Sequence, residues 1–222
     1  MLLLPAYIPL TFLATVGLTI LLFYLASKKS YPFILIVLFI LGFQSSLAMN
    51  TFFQDTTSLP PRFLVLPAPS LFLIILLFFT RMGRQFLDNL DTGLLTLLHT
   101  IRIPVELVLY WLFLNQAIPE VMTFEGRNFD ILAGISAPFV YYLAYQKKIL
   151  SRSFLIGWNL ICLGLLANIV AHAVLAAPSP IQQIAFEQPN IAILHFPFVL
   201  LPGIVVPLVL VSHLATLRKL VR

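Results

Sequence analysis

The sequence predicts an all-α membrane protein, a bundle of seven transmembrane helices in a single domain over residues 1–222. Its composition is 60% hydrophobic and only 9% charged, with a mean hydropathy of +1.02, whereas soluble domains carry roughly 25% charged residues. Apolar runs of about 18–25 residues recur, each long enough to cross a hydrocarbon core of about 30 Å as a helix. The joints between them are short and polar, so no segment is left to form a separate soluble domain.

Seven spans follow from these runs, at approximately residues 5–26, 32–53, 63–80, 94–114, 130–146, 154–177 and 191–217. The first run has neither a basic start nor a small-residue cleavage site, so we expect a retained span rather than a signal peptide. In the seventh run, Pro197, Pro202 and Pro207 remove backbone donors. They predict a kinked or locally unwound helix.

Basic residues predict the orientation of the bundle, because they follow every second span. They are Lys28, Lys29, Arg81, Arg84, Lys147, Lys148, Arg152, Arg218, Lys219 and Arg222. The other joints hold only Arg62 and Arg127. By the positive-inside rule the amino terminus lies outside and the carboxyl terminus in the cytoplasm. These residues are expected to meet the lipid bilayer, and no basic face with interleaved aromatics indicates a nucleic-acid partner.

Two similar stretches suggest an internal repeat. Residues 24–29 close the first span and residues 142–148 close the fifth, each with at least one tyrosine followed by two lysines. The match suggests a parallel 3+1+3 duplication of the kind some transporters use. The alternative is that aromatic and lysine anchors recur at cytoplasmic helix ends.

Arg102 and Glu106 stand out because they lie inside the fourth apolar run, one helical turn apart on a shared face. An ionised side chain at mid-depth costs ~2.5–3.5 kcal/mol on insertion scales, so such residues face the protein interior and find partners. The polar stretch 87–92 would cap a helix that begins near Leu94, which puts both residues near mid-depth. They either contact each other or reach separate partners. A structural ion pair and a ligand or proton site are both open.

A polar set on the outer side completes the candidate site. The joint 120–130 is rich in carboxylates and would cover or line an outward-facing cavity, while Asp130 is placed to cap the fifth span. The predicted ligand-binding residues are Arg102 and Glu106 at the centre, with Glu125, Arg127, Asn128, Asn168, His172 and His195 at the entrance.

The leading hypothesis is a protein without cofactor or metal that binds, and transports or senses, a small polar solute or ion through an outward-opening polar cavity. A haem-b electron carrier is the alternative, with axial ligands His172 and His195 in one leaflet and His99 and His213 in the other. A non-catalytic scaffold that packs against another membrane protein or a second copy of itself is the third. Neither a Gly-x-Ser-x-Gly elbow nor a His-Glu-x-x-His helix occurs. This disfavours an enzyme.

Residues 102–107 and 122–130, together with 187–190, resemble a family of uncharacterised bacterial polytopic membrane proteins with seven spans. The resemblance extends across most of the chain. It implies a multi-pass protein of the bacterial inner membrane. It implies no activity, and it transfers no functional residue.

Overall fold

The computed structural model describes residues 3–222, among which there are helices and turns but no strand. The α-helices are α1 (Tyr7–Ala26), α2 (Tyr31–Met49), α3 (Ala68–Phe79), α4 (Arg81–Asn89), α5 (Thr92–Leu98), α6 (Arg102–Leu114), α7 (Ile131–Tyr141), α8 (Arg152–Leu175) and α9 (Val206–Val221). A 3₁₀ turn at His99–Ile101 joins α5 to α6, and a 3₁₀ turn at Arg62–Val65 leads into α3. Single π turns at Tyr142–Gln146 and Leu201–Val205 follow α7 and precede α9.

Within residues 3–222, six helical segments are long and apolar enough to cross a membrane, so the fold is that of a multi-pass membrane protein. They are Tyr7–Ala26, Tyr31–Met49, Arg62–Phe79, Thr92–Leu114, Arg152–Leu175 and Leu201–Val221. Each overlaps one of the predicted spans. Because the span Thr92–Leu114 starts at Thr92, Arg102 lies well inside it. This agrees with the cap predicted in the polar stretch 87–92: Asp91 Oδ1 accepts a hydrogen bond of 3.0 Å from the Leu94 N–H.

The fifth and seventh predicted spans differ most from the structure. Residues 131–146 form α7 and its π turn, 16 residues in all and shorter than the six segments above. The last span begins about ten residues later than predicted. Pro197 accounts for this, because proline disfavours helical backbone at the preceding residue. Local unwinding occurs where Pro202 lies, as the π turn at Leu201–Val205.

The bundle has an apolar outside and a partly polar inside, the reverse of a soluble protein. The segments Thr92–Leu114 and Leu201–Val221 lie at its centre, with half or more of their residues buried. The outer helices α2, α3 and α8 expose large apolar side chains such as Phe39, Phe72 and Ile161. Arg102, by contrast, is 2% exposed. Charged groups therefore lie where neighbouring helices, rather than lipid, surround them.

Ion pairs join the helix ends on the side of the bundle that holds the carboxyl terminus. Asp88 at the end of α4 accepts from Arg218 Nε at 3.0 Å and from Arg222 Nη1 at 2.8 Å. The hydrogen bond from Arg218 is the main reason that the pKa of Asp88 lies below its ordinary value. The Asp91 N–H donates to the Ala26 carbonyl at 2.8 Å, which adds α1 to the same layer.

Candidate functional site

A buried ion pair between Arg102 and Asp130 forms the centre of the candidate site. Arg102 Nη1 lies 2.5 Å from Asp130 Oδ1, and the same atom donates to the Cys162 carbonyl at 3.3 Å. Asp130 lies at the N-cap position of α7, as the sequence predicts, but it does not act as a cap. Its side chain makes no capping hydrogen bond. A buried guanidinium needs a paired charge, and Asp130 supplies it.

Gly134 allows this pair to form. It lies one helical turn after Asp130, and a Cβ added there would be 3.0 Å from the Ile103 N and 3.2 Å from Arg102 Cβ. Any larger residue would hold α7 away from the start of α6. The glycine therefore permits the close backbone approach that brings the Asp130 carboxylate to Arg102.

His213 on α9 continues the cluster on the other edge of the guanidinium. The Asn159 amide donates to the Leu155 carbonyl at 2.8 Å, so its oxygen faces His213 and accepts from Nδ1–H at 2.8 Å. His213 Nε2 is then free to accept from Arg102 Nη2 at 2.9 Å. This hydrogen-bond pattern corresponds to the neutral ring with its proton on Nδ1. His99 stacks on His213 with ring centroids 3.8 Å apart and planes 12° apart.

The arrangement of His99 and His213 does not fit a haem iron held between them. The rings stack face to face, and both nitrogens of His213 have protein partners. The other predicted pair of haem ligands, His172 and His195, has separate hydrogen-bond partners. His172 Nδ1 donates to the Asn168 carbonyl at 2.8 Å, and His195 Nδ1 lies 3.3 Å from Gln54 Nε2. Within residues 3–222, no group of three or more His, Cys, Asp or Glu side chains could hold a metal ion.

Glu106 and Arg102 reach separate partners rather than each other. Glu106 is 1% exposed, and its Oε1 accepts from Asn128 Nδ2 at 2.6 Å. The Asn128 oxygen in turn accepts from the Asp130 N–H at 3.1 Å, so one asparagine connects Glu106 to the ion pair. Three buried atoms of the cluster have no hydrogen-bond partner among the described residues: Glu106 Oε2, Arg102 Nε and His99 Nδ1.

The segment that holds Asn128 lies deep in the bundle. Residues 115–130, which we call the descending loop, start at the carboxyl-terminal end of α6 and return to the level of Glu106. Glu106 lies about 12 Å below the end of α6, because an α-helix rises about 1.5 Å per residue. The Arg127 carbonyl accepts from Asn168 Nδ2 at 2.9 Å, about 10 Å below the end of α8. Non-helical backbone thus occupies this side of the bundle at membrane depth.

The structure brings together part of the predicted set. Arg102, Glu106 and Asn128 form one cluster, whereas Arg127, Asn168 and His172 form a second chain of contacts next to it. Glu125 and Arg127 have exposed side chains on the descending loop, and His195 lies apart with Gln54. Sequence reasoning missed Asn159 as a partner of His213. A signal was present, because Trp158 and Asn159 are polar residues side by side in an apolar span.

A cavity of about 510 Å³ lies on an adjacent face of α6, where Val105 and Leu109 form part of its wall. It differs from the polar cavity that the sequence predicts. Asn190 is the single polar residue among the described residues that line it, and neither Arg102 nor Glu106 reaches it.

Fold and cluster together define a polytopic helical membrane protein with a buried, hydrogen-bonded group of ionisable side chains at its centre. Residues 60–221 match the family of the domain of unknown function DUF8737, and this match covers nearly three quarters of the chain. The chain therefore belongs to that family. Every residue of the cluster lies inside the matched region, whereas α1 and α2 precede it. No curated protein and no solved structure matches the chain.

Proposed function

We propose that this protein binds a small ion, in the simplest case a proton, at Glu106 and transports or senses it across the membrane. The proposal rests on the environment of the Glu106 carboxyl. It is buried in a membrane-spanning helix, accepts a short hydrogen bond from Asn128 at one oxygen, and has no partner among the described residues at the other. Buried polar atoms are nearly always partnered, so an exception of this kind marks a place where something binds.

The chemistry of the cluster favours a proton or small cation over a larger solute. Glu106 Oε2 is a carboxyl oxygen and His99 Nδ1 an imidazole nitrogen, and both groups can take up and release protons. His99 precedes Glu106 by seven residues, or about 10 Å along the helix. Carboxylates and histidines in membrane helices recur in proton relays.

Arg102 lies between these two groups as a fixed positive charge. Its contacts with Asp130, His213 and the Cys162 carbonyl hold the guanidinium in one position. A second positive charge close by would be repelled, so an added proton or cation is directed to Glu106. Arg102 and Asp130 therefore act as positioning residues.

The descending loop supports access from the outer side. Unpaired backbone at membrane depth is tolerated only where protein buries it or water reaches it. Glu125 and Arg127 are exposed there, and Asn128, one residue further, contacts Glu106 directly. The proposed entrance thus runs over Glu125 and Arg127 to Asn128, with Asn168 and His172 beside it.

The proposal includes a location and an orientation. We place the protein in the bacterial inner membrane with seven passes, the amino terminus outside and the carboxyl terminus in the cytoplasm. In this arrangement α7 and its π turn form the fifth pass, and the number of passes is compatible with a repeat of three, one and three. The distribution of lysine and arginine supports this orientation.

Infrared difference spectroscopy tests the binding step. Purified protein taken from alkaline to acidic pH should show the C=O stretch of a protonated buried carboxyl, and Glu106→Gln should lose that band. Glu187→Gln is the matched control, because it makes the same change at an exposed side chain. A band that is unchanged in Glu106→Gln would refute Glu106 as the binding group.

Reconstitution into vesicles that contain a pH-sensitive dye separates transport from sensing. A transporter should acidify or alkalinise the lumen under a potassium-diffusion potential at least tenfold faster than Glu106→Gln, with Glu187→Gln at the wild-type rate. Loss of the infrared band without any flux in the wild type would assign the protein to sensing.

A further inference from the structure

The cavity on the adjacent face of α6, which we call the apolar cleft, forms a second site that is distinct from the polar cluster. Segment 62–79 borders it on one side and α8 on the other, while α6 and α9 line its floor. Ile118, Met122 and Ile193 close its outer end. Its volume of about 510 Å³ lies within the 300–1,000 Å³ of typical ligand pockets.

The mouth of the cleft faces the lipid. Leu64 and Leu71 on one side are 38% and 41% exposed, and Val170 on α8 is 37% exposed. All three line the cleft and belong to segments long and apolar enough to span the membrane. A molecule therefore enters sideways from the hydrocarbon region.

The walls offer an occupant apolar contacts and almost no hydrogen bonds. Asn190, the single polar lining residue among those described, uses its backbone N–H on the Ala176 carbonyl at 2.8 Å and its side-chain amide on the Ala173 carbonyl at 3.2 Å. Apolar cavities of this kind stay dry, because water there finds no partners. An unfilled cleft would also deprive its lining of dispersion contacts.

We propose that the apolar cleft binds one hydrocarbon chain of a bilayer phospholipid, which enters between segment 62–79 and α8 and lies against α6. The continuity of the cleft with the lipid-facing surface identifies the source of the chain. The site is independent of the ion-binding proposal, since Arg102 and Glu106 do not line it.

Photolabelling in vesicles tests this site. The wild type is reconstituted into phosphatidylglycerol vesicles with a diazirine in one acyl chain, irradiated and mapped by mass spectrometry. Leu109 and Leu112 should be labelled although they are only 4% and 1% exposed, because the cleft brings the chain to them. Ile161, which is 67% exposed on the lipid face, reports general labelling by lipid.

A matched pair of variants on α8 makes the test specific. Ala167 and Ala171 are both exposed and one turn apart, but only Ala167 lines the cleft. Ala167→Trp should reduce the labelling of Leu109 and Leu112 at least fivefold, whereas Ala171→Trp should leave it unchanged. Both variants should keep the labelling of Ile161.

Two outcomes would overturn the proposal. Labelling of Ile161 without any labelling of Leu109 and Leu112 in the wild type would show that no chain enters. Labelling of α6 by a diazirine fatty acid, but not by the phospholipid, would show that the occupant is not a bilayer lipid.

Discussion

Two regions of opposite character border helix α6. Arg102 and Glu106 on one face form hydrogen bonds to α8, α9 and the descending loop, so that little space remains around them. Val105 and Leu109 on an adjacent face border a cleft of about 510 Å³. The polar region depends on hydrogen-bond partners at fixed distances. The apolar region tolerates open space, because the proposed lipid chain would fill it. Mutations on the two faces should therefore differ sharply in cost.

Removal of Asp130 should have the largest effect. Asp130→Ala leaves the Arg102 guanidinium buried without its counter-charge, which costs about 3–5 kcal/mol when one member of a buried pair is lost. Thermal unfolding in detergent, followed by size-exclusion chromatography, would measure this loss.

Asp55→Ala is the control for that variant. Asp55 pairs with Arg62 at 2.7 Å, but both side chains are partly exposed to solvent. Exposed pairs contribute little, so its unfolding temperature should stay close to that of the wild type. If the unfolding temperature fell equally in Asp130→Ala and Asp55→Ala, burial of the Arg102–Asp130 pair would not raise the cost of breaking it.

Truncation of leucine should discriminate between packed core and cleft wall. Leu98 is 0% exposed and lies away from the cleft, so Leu98→Ala should leave a new void and cost about 2–5 kcal/mol. Leu109→Ala makes the same change at 4% exposure but only widens the existing cleft. We expect a cost at or below the lower end of that range. Identical shifts in unfolding temperature would argue that the cleft is closed in solution.

Gly134→Ala should disturb the polar region by steric pressure alone. The new Cβ would lie 2.9 Å from Ile103 Cγ1 and 3.0 Å from the Ile103 N, so α7 must shift. Overpacking of this kind costs about 1–3 kcal/mol. Gly164→Ala on α8 meets nothing within 4 Å and should not destabilise the protein. Thermal unfolding of both variants in the same detergent checks the contrast.

Asp88 should give the smallest effect, because its ion pairs with Arg218 and Arg222 are exposed. Its pKa is lowered in the folded protein, so the contribution is present above the ordinary aspartate pKa of about 4 and is lost as the pH falls through the lower folded-state pKa. Asp88→Asn should cost below about 1 kcal/mol at pH 7. The difference from the wild type in unfolding temperature should disappear in acid and shrink in high salt. A difference that persists in acid would contradict this account.

Much of the fold could be predicted from sequence, because the length and hydropathy of an apolar run are local properties. Five runs are helices close to the predicted positions, a sixth begins about ten residues later than predicted, and Asp91, within the polar stretch 87–92 predicted to cap the helix, caps α5. The partners of Arg102 could not be predicted. Asp130 lies 28 residues away along the chain and His213 lies 111 residues away. Such contacts depend on how α7 and α9 pack, and on the close approach at Gly134, which no local pattern encodes.

In the proposed seven-pass arrangement, the brevity of α7 has a consequence for the surrounding bilayer. With its π turn it presents 16 residues, an apolar wall of about 24 Å against a hydrocarbon core of about 30 Å. Leu132, Ile135 and Phe139 are exposed along this wall. Lipids beside it would have to shorten to avoid hydrophobic mismatch, or a second protein surface would have to cover it. Either response would be confined to one flank of the protein, and this asymmetry would draw it towards thin bilayers and partners of similarly short hydrophobic span.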